Sequence, residues 1–284
     1  MLATYFWLIK PGIVCGNSLA AAAGFMLGSD GRFRPGLMAY SLTGLALIVA
    51  AAGVLNNIID RRIDRKMSRT SRRALARGSV EVPAALIYAA GLGLAGSLLL
   101  GSLANFLALA LALFGLVAYV VLYGYFKRLT PYGTLVGSVA GAMPPVIGYV
   151  AASGRLDLGA GLLFLVLFTW QMPHFYAISL FRLKDYQAAS LPVLPAKKGP
   201  RATKIRIVVY MAAFLAAAAA LYVFGYGGYV YLVAMSLLGG YWLVLGLSGL
   251  QKTSDRPWAR RVFKFSLVIL LSFSVLVSLG SILP

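Results

Sequence analysis

Apolar residues run along this chain in long blocks, punctuated by short clusters of charge, glycine and proline. The strict alternation of half-buried strands is missing. Nine blocks are long enough to cross a bilayer as helices, which takes about 20 residues: 12–29, 37–58, 83–101, 104–123, 135–153, 159–180, 207–225, 229–249 and 262–282. Helices are the expected solution, because hydrocarbon offers no partner to a free backbone N–H or C=O. The dyad pattern of a transmembrane barrel is absent. The predicted fold is all-α, a polytopic membrane protein with nine transmembrane helices in a bundle. No linker or low-complexity segment divides the chain, so residues 1–284 read as a single transmembrane domain. A cleavable leader is not expected, since Lys10-Pro11 precedes the first span and no clear small-residue cleavage site follows a short apolar core.

Within the spans, small residues mark where helices can approach. Gly133, Gly137 and Gly141 recur every fourth position, and Gly91, Gly93 and Gly96 thin the third span. Pro144-Pro145 removes two backbone donors in the fifth span and predicts a kink there. Long basic loops follow spans two and six, and very short loops follow spans three and seven. Units four spans apart share an orientation, so spans 1–4 and 5–8 are expected to be parallel repeats.

Composition sharpens this picture. The chain is 61% hydrophobic and 12% charged, against roughly 25% charged in soluble domains. Its net charge of +19 invites a nucleic-acid reading, but 23 of the 26 basic residues fall on one side of the predicted spans. Only Arg32, Arg34 and Arg155 fall on the other. The positive-inside rule then places the N-terminus and the four basic loops in the cytoplasm and the C-terminus outside. Topology accounts for most of the charge, and no soluble domain carries a nucleic-acid recognition fold. Cys15 is the only cysteine, which excludes disulfides within one chain; it reads as a small packing residue in the first span. A single histidine, His174, removes multi-histidine zinc sites.

Chemistry concentrates where the second span ends. Asn56, Asp60 and Asp64 are four residues apart, so successive side chains rotate by only about 40° and share one helix face. An amide and two carboxylates at a membrane edge, followed by a run of arginines, suit a divalent cation carrying phosphates. Mg²⁺ prefers oxygen ligands completed by water and substrate phosphate, and arginine pairs with phosphate through planar donors. Salt-bridged surface groups would produce a similar local pattern. Asp185 opens the loop after span six, the place equivalent to that of Asp60 and Asp64. Asp30, Glu81, Asp157 and Asp255 read as solvated loop charges. His174 lies inside a span, where an ionisable group is a functional candidate. It could ligate iron, bond a carboxylate or orient water, or be a buried neutral histidine held by Gln171 or a backbone carbonyl.

Three segments together carry a resemblance. Asn56-Asn57-Ile58-Ile59-Asp60 through Asp64-Arg65-Lys66-Met67-Ser68-Arg69-Thr70 is similar to a signature of the intramembrane aromatic prenyltransferases, the UbiA-type superfamily. Trp170-Gln171-Met172-Pro173-His174-Phe175-Tyr176 and Lys184-Asp185-Tyr186-Gln187-Ala188-Ala189 point more narrowly to its haem branch, the protoheme IX farnesyltransferases. Lys10-Pro11-Gly12, and Tyr132-Gly133-Thr134 through Pro144-Pro145, extend the likeness over most of the chain.

The resemblance implies a bundle around a central cavity that is polar at its cytoplasmic mouth, in a bacterial inner membrane. It implies transfer of a farnesyl group from farnesyl diphosphate to a vinyl group of haem B with hydration, giving haem O. Catalytic roles would fall to Asn56, Asp60, Asp64 and Asp185, with Mg²⁺ on Asn56, Asp60 and Asp64. Diphosphate would meet Arg69 and Arg73, which match the family's RTxxR element, with Lys127, Arg128 and Lys184. His174, Trp170 and Tyr176 would meet haem. Implied partners are the two substrates, the lipid bilayer, and haem A synthase or terminal-oxidase assembly factors, with no nucleic acid. The chain departs from the superfamily at Asn57, often an aspartate, and at Asp185, where a second paired-aspartate motif is common; a second fully liganded Mg²⁺ is therefore not expected. Two other readings compete. One is a prenyltransferase for another aromatic or quinone-precursor acceptor, which the second and third segments disfavour. The other is a transporter of an anionic lipid or haem, which would line a path with ionisable groups where this chain collects them at one end.

Overall fold

The computed structural model describes residues 2–251 and 254–280. It contains α1 (Leu2–Leu8), α2 (Pro11–Gly28), α3 (Pro35–Asp64), α4 (Ala74–Arg77), α5 (Val82–Leu103), α6 (Phe106–Val117), α7 (Gly124–Leu129), α8 (Gly133–Ser153), α9 (Leu158–Phe181), α10 (Leu183–Ala188), α11 (Leu194–Val223), α12 (Tyr229–Ser248) and α13 (Asp255–Ser278). A π-helical turn, Ala118–Tyr123, joins α6 to α7. Among the described residues there is no strand, and nine helices are long and apolar enough to span a membrane, α6 through α7 counting as one. This is a multi-pass membrane protein.

Helix ends follow local chemistry. Pro11, Pro35, Pro83 and Pro195 stand in first turns, where a missing N–H costs nothing. Asn105 caps α6 by accepting from the Ala108 N–H at 2.8 Å. Asp157 caps α9 through the Gly159 N–H at 3.1 Å and also accepts from the Tyr149 hydroxyl at 3.1 Å. It is therefore a structural cap, which corrects its reading as a solvated charge. Asp255 likewise pairs with buried Lys204.

The predicted spans are all present, but four helices outrun them at the charged end. α3 continues past 58 to Asp64, α7 extends the fourth span to Leu129, α11 begins at Leu194 and α13 at Asp255. Hydropathy marks the stretch that suits hydrocarbon, whereas backbone hydrogen bonding continues until a cap stops it. α11 also crosses a break at Gly199, whose φ of 82° is in the left-handed region. Lys252 and the last residues of the predicted ninth span, 281–282, lie outside the described residues.

The two groups of four spans share an order of neighbours. In the first, α3 packs on α2 and α5, and α5 on α6; in the second, α9 packs on α8 and α11, and α11 on α12. A parallel repeat requires such a shared order. The ninth helix, α13, packs against α2, α9 and α12. The groups meet where α2 crosses α8 with backbone almost touching backbone. A methyl added at Gly24 would fall 1.9 Å from the Pro145 carbonyl oxygen, and one at Gly148 would fall 1.9 Å from that of Ala21. The Pro144-Pro145 pair sits inside α8 as one continuous helical element. A methyl at Gly96 would fall 2.6 Å from the Gly44 carbonyl oxygen of α3, whereas Gly91 has nothing within 4 Å, so the reading of Gly91 as a packing residue is corrected. Cys15 is exposed, not packed: it stands on the outer face of α2.

Candidate active site

The extension of α3 past its apolar core carries Asn56, Asn57, Asp60 and Asp64 into a buried cluster. All four are at most 9% exposed, so these are not the salt-bridged surface groups that the local pattern also allowed. Each faces a cation or a backbone partner. Lys127 donates to one Asp60 oxygen, and Arg128 lies 3.3 Å from the other. Arg73 donates to Asp64 at 2.9 Å. Lys10 donates to the Asn56 amide oxygen. Asn57 donates to the Leu8 carbonyl at 2.9 Å and so ties α1 to α3. Lys10 adopts a left-handed φ of 57° at the turn into α2, which aims its chain back toward α3. Burial, then the neighbouring Arg73 and Lys127, draws its ammonium down to about 7.

A cavity of about 410 Å³ opens beside this cluster. Its wall includes Lys10 and Lys127 but not the carboxylates, which stand behind their cationic partners. The rest is mostly apolar, from α2, α3, α6, α8, α9 and α13. The π-helical turn supplies Tyr119 and Tyr123, stacked at 5.6 Å, with Lys127 lying 5.0 Å over the Tyr123 ring. A π turn inserted in an α-helix is often found at functional sites. Gly133, Gly137 and Gly141 form the facing wall, and their missing side chains leave room for Lys127, Tyr123 and Gln171.

His174 and Trp170 both line this cavity, their rings stacked at 5.0 Å. His174 Nδ1 lies 2.7 Å from the Ser266 hydroxyl, which donates its own hydrogen to the Phe263 carbonyl at 2.6 Å. With that hydrogen spent, Nδ1 must carry the donor N–H, and Nε2 keeps its lone pair. Neither Gln171 nor a carbonyl holds the ring; the partner comes from α13. Gln171 spends its amide donors on the Ser138 and Leu167 carbonyls, at 3.3 and 3.0 Å.

The remaining predicted residues divide. Asp185 accepts from Ser68 at 2.7 Å and lies 3.8 Å from Arg182, linking the loops after α3 and α9. Arg69 is exposed at that junction, near Tyr186. Burial raises the Tyr186 hydroxyl pKa, and Arg69 offsets part of the rise. Lys184 is exposed and outside the cavity wall, and Tyr176 is fully buried against Tyr210 on the far side of α9. The structure brings neither to the cavity. Lys10, Asn17, Tyr119, Tyr123, Gln171 and Ser266 also shape or support the cavity. Of these, Gln171 stood inside a recognisable segment as a candidate partner, and Lys10 stood inside Lys10-Pro11-Gly12 with no role assigned. Lys10 had the look of an ordinary topological charge.

Among the described residues no three His, Cys, Asp or Glu side chains gather in a metal-binding group. Two carboxylates and an amide on one helix face are an all-oxygen set that suits Mg²⁺ with water and phosphate completing its shell. Each of the three already presents an oxygen to a cationic nitrogen. The donor set fits a dication.

Comparison with known proteins gives a consistent result. The model of the UbiA prenyltransferase family matches residues 18–268. The chain is 47% identical over its whole length to a protoheme IX farnesyltransferase of Photorhabdus laumondii, covering 97% of that protein. It is 46% identical, again over its whole length, to one of Pectobacterium carotovorum, covering 97% of it. Among solved structures, a digeranylgeranylglyceryl phosphate synthase superposes with a TM-score of 0.82 at 19% identity, covering 99% of this chain and 98% of that one. A UbiA homolog from Archaeoglobus fulgidus bound to GPP and Mg²⁺ gives 0.66 at 15%, covering 97% and 99%. At these identities the shared property is the fold.

Proposed function

The chain belongs to the UbiA prenyltransferase family, and on that premise we propose that it is a protoheme IX farnesyltransferase, converting haem B to haem O with farnesyl diphosphate. The observation that carries the reading is a single apolar cavity with Lys10 and Lys127 at one end and His174 and Trp170 in its wall. An isoprenoid chain fits apolar walls, and its diphosphate fits the cations.

Asn56, Asp60 and Asp64 would hold Mg²⁺, which when bound supplies positive charge to the diphosphate oxygens. Lys127, Arg128 and Arg73, released from their carboxylates, take phosphate oxygens and stabilise the charge that grows as the farnesyl C1–O bond breaks. The haem vinyl terminus forms the new bond to C1. Positive charge then rests on the vinyl carbon next to the ring; water adds there and loses a proton, leaving a hydroxyethylfarnesyl group. His174 Nε2, with its free lone pair, faces haem as an iron ligand or as acceptor for that water, while Ser266 fixes the ring. Trp170 gives the porphyrin a flat neighbour. Asp185 keeps the two loops together over the diphosphate.

This reading places the enzyme in a bacterial cytoplasmic membrane, with the site at the cytoplasmic side and haem O passing to haem A synthase or oxidase assembly factors. Membranes carrying the protein, supplied with haem B and farnesyl diphosphate, should yield a heavier haem with the mass of haem O, and chelation should stop its formation. Absence of that product with active, folded protein would overturn the reading.

A further inference from the structure

A second concave site stands at the start of α13, outside the farnesyl cavity. Arg256, Arg260, Arg261 and Lys264, with Pro257, line a hollow of about 420 Å³. All five are exposed. None of the four cations forms an ion pair among the described residues, and the one carboxylate in the turn, Asp255, is taken by Lys204. The Arg260 guanidinium lies 5.9 Å over the Phe181 ring, which holds it against α9. The positive-inside rule asks for basic residues at this end of the bundle, but does not ask that four of them share one hollow without a counter-charge.

The same helix face continues beyond the cations. Spacings of three and four lead from Arg260 and Lys264 past Leu267, which also borders the farnesyl cavity, to Leu271 and Val275, which are 55% and 45% exposed. This face is cationic for its first two turns and apolar for the rest of the span. An anionic headgroup with attached acyl chains has the same order of chemistry along the membrane normal. We propose that this hollow is a binding site for an anionic phospholipid, with the phosphate held by Arg256, Arg260, Arg261 and Lys264 and an acyl chain lying along Leu271 and Val275. Arginine suits the phosphate by its paired donors, and juxtamembrane cations favour anionic lipid. α13 also packs on α9 and supplies Ser266 to His174, so an occupied site braces the helix that fixes that ring.

Native mass spectrometry of the full-length protein, titrated with phosphatidylglycerol or phosphatidylcholine, tests the site. Phosphatidylglycerol should bind more tightly than phosphatidylcholine. A triple variant, Arg260→Gln, Arg261→Gln and Lys264→Gln, should lose roughly 10- to 100-fold in phosphatidylglycerol affinity. A control triple, Lys197→Gln, Lys198→Gln and Arg201→Gln, removes the same charge from an exposed stretch of α11 and should leave that affinity near the parent's. Excess inorganic phosphate should not displace the lipid. Equal binding of the two lipids, equal loss in both triples, or displacement by free phosphate would each overturn the proposal, the last by showing a site for a soluble anion. Matching thermal unfolding of the variants excludes misfolding as the cause of any loss.

Discussion

In this structure the carboxylates proposed for Mg²⁺ are already engaged: Lys127 and Arg128 hold Asp60, and Arg73 holds Asp64. A metal can use these oxygens only by displacing the cations, and diphosphate is what gives the displaced cations a new partner. Metal and diphosphate should therefore bind with positive coupling. Side chains in the Lys127–Asp60 pair are each 12% exposed, so water screens the pair poorly. At an effective dielectric near 20, two charges about 4 Å apart attract by roughly 4 kcal/mol, and desolvation offsets much of that. A net 1–3 kcal/mol corresponds to a factor of about 5–150 in affinity. Arg128 remains on the other Asp60 oxygen when Lys127 is neutralised, which argues for the lower half of that range. Lys127→Met keeps most of the unbranched stem and removes the charge. Calorimetric titration of the ligand-free variant should show Mg²⁺ binding tightened by about 5- to 10-fold relative to the parent, while diphosphate binding in saturating Mg²⁺ weakens. Mg²⁺ affinity that stays the same or falls in a stably folded Lys127→Met would refute the exchange.

Asp60→Asn and Asp64→Asn should each lower turnover by orders of magnitude, and Asp64→Asn should also lower stability by about 1–3 kcal/mol, because it leaves Arg73 facing a buried amide; full turnover in either purified variant removes the proposed site. His174→Ala should weaken haem binding and spare farnesyl diphosphate binding, with Ser266→Ala giving a smaller change in the same direction; loss of both substrates together would mark His174 as structural. Gly24→Ala should unfold at clearly lower temperature, since its methyl meets backbone at 1.9 Å and overpacking costs typically 1–3 kcal/mol, whereas Gly91→Ala, with open space around it, should not; indistinguishable unfolding would contradict the α2–α8 crossing. Reporter fusions should find the N-terminus in the cytoplasm and the C-terminus outside, and a cytoplasmic C-terminus would mean a miscounted span.

The nine spans were legible because bilayer thickness sets a length that apolar blocks display directly. Asn56, Asp60 and Asp64 were legible as one face because helical spacing is arithmetic. What the sequence hid depends on contacts between distant segments. Lys10 lies 46 positions from Asn56, and its place in the Lys10-Pro11-Gly12 segment gives no sign of that partner. Ser266 is 92 positions from His174 and is one small polar residue in an apolar helix. The π turn Ala118–Tyr123 has no composition signal, and because hydropathy falls after 123 the sequence reading ended the fourth span there and separated Lys127 from the helix that delivers it. Tyr176 follows two residues after His174, which on a helix turns it roughly 200° to the opposite side, and there it packs away from the cavity.

The crossing of α2 and α8 also sets a clock. Gly24 and the carbonyl it packs against, that of Pro145, are 121 positions apart, and a ribosome adding about 5–20 residues per second takes roughly 6–24 s to cover that distance. For roughly the last two-thirds of that interval, once residue 64 has been added, the nascent chain holds Asn56, Asp60 and Asp64 with the glycine seam of α2 facing whatever surrounds it. A chain stalled before α8 would carry all three oxygen-bearing residues proposed for the metal and still have no chamber in which to use them.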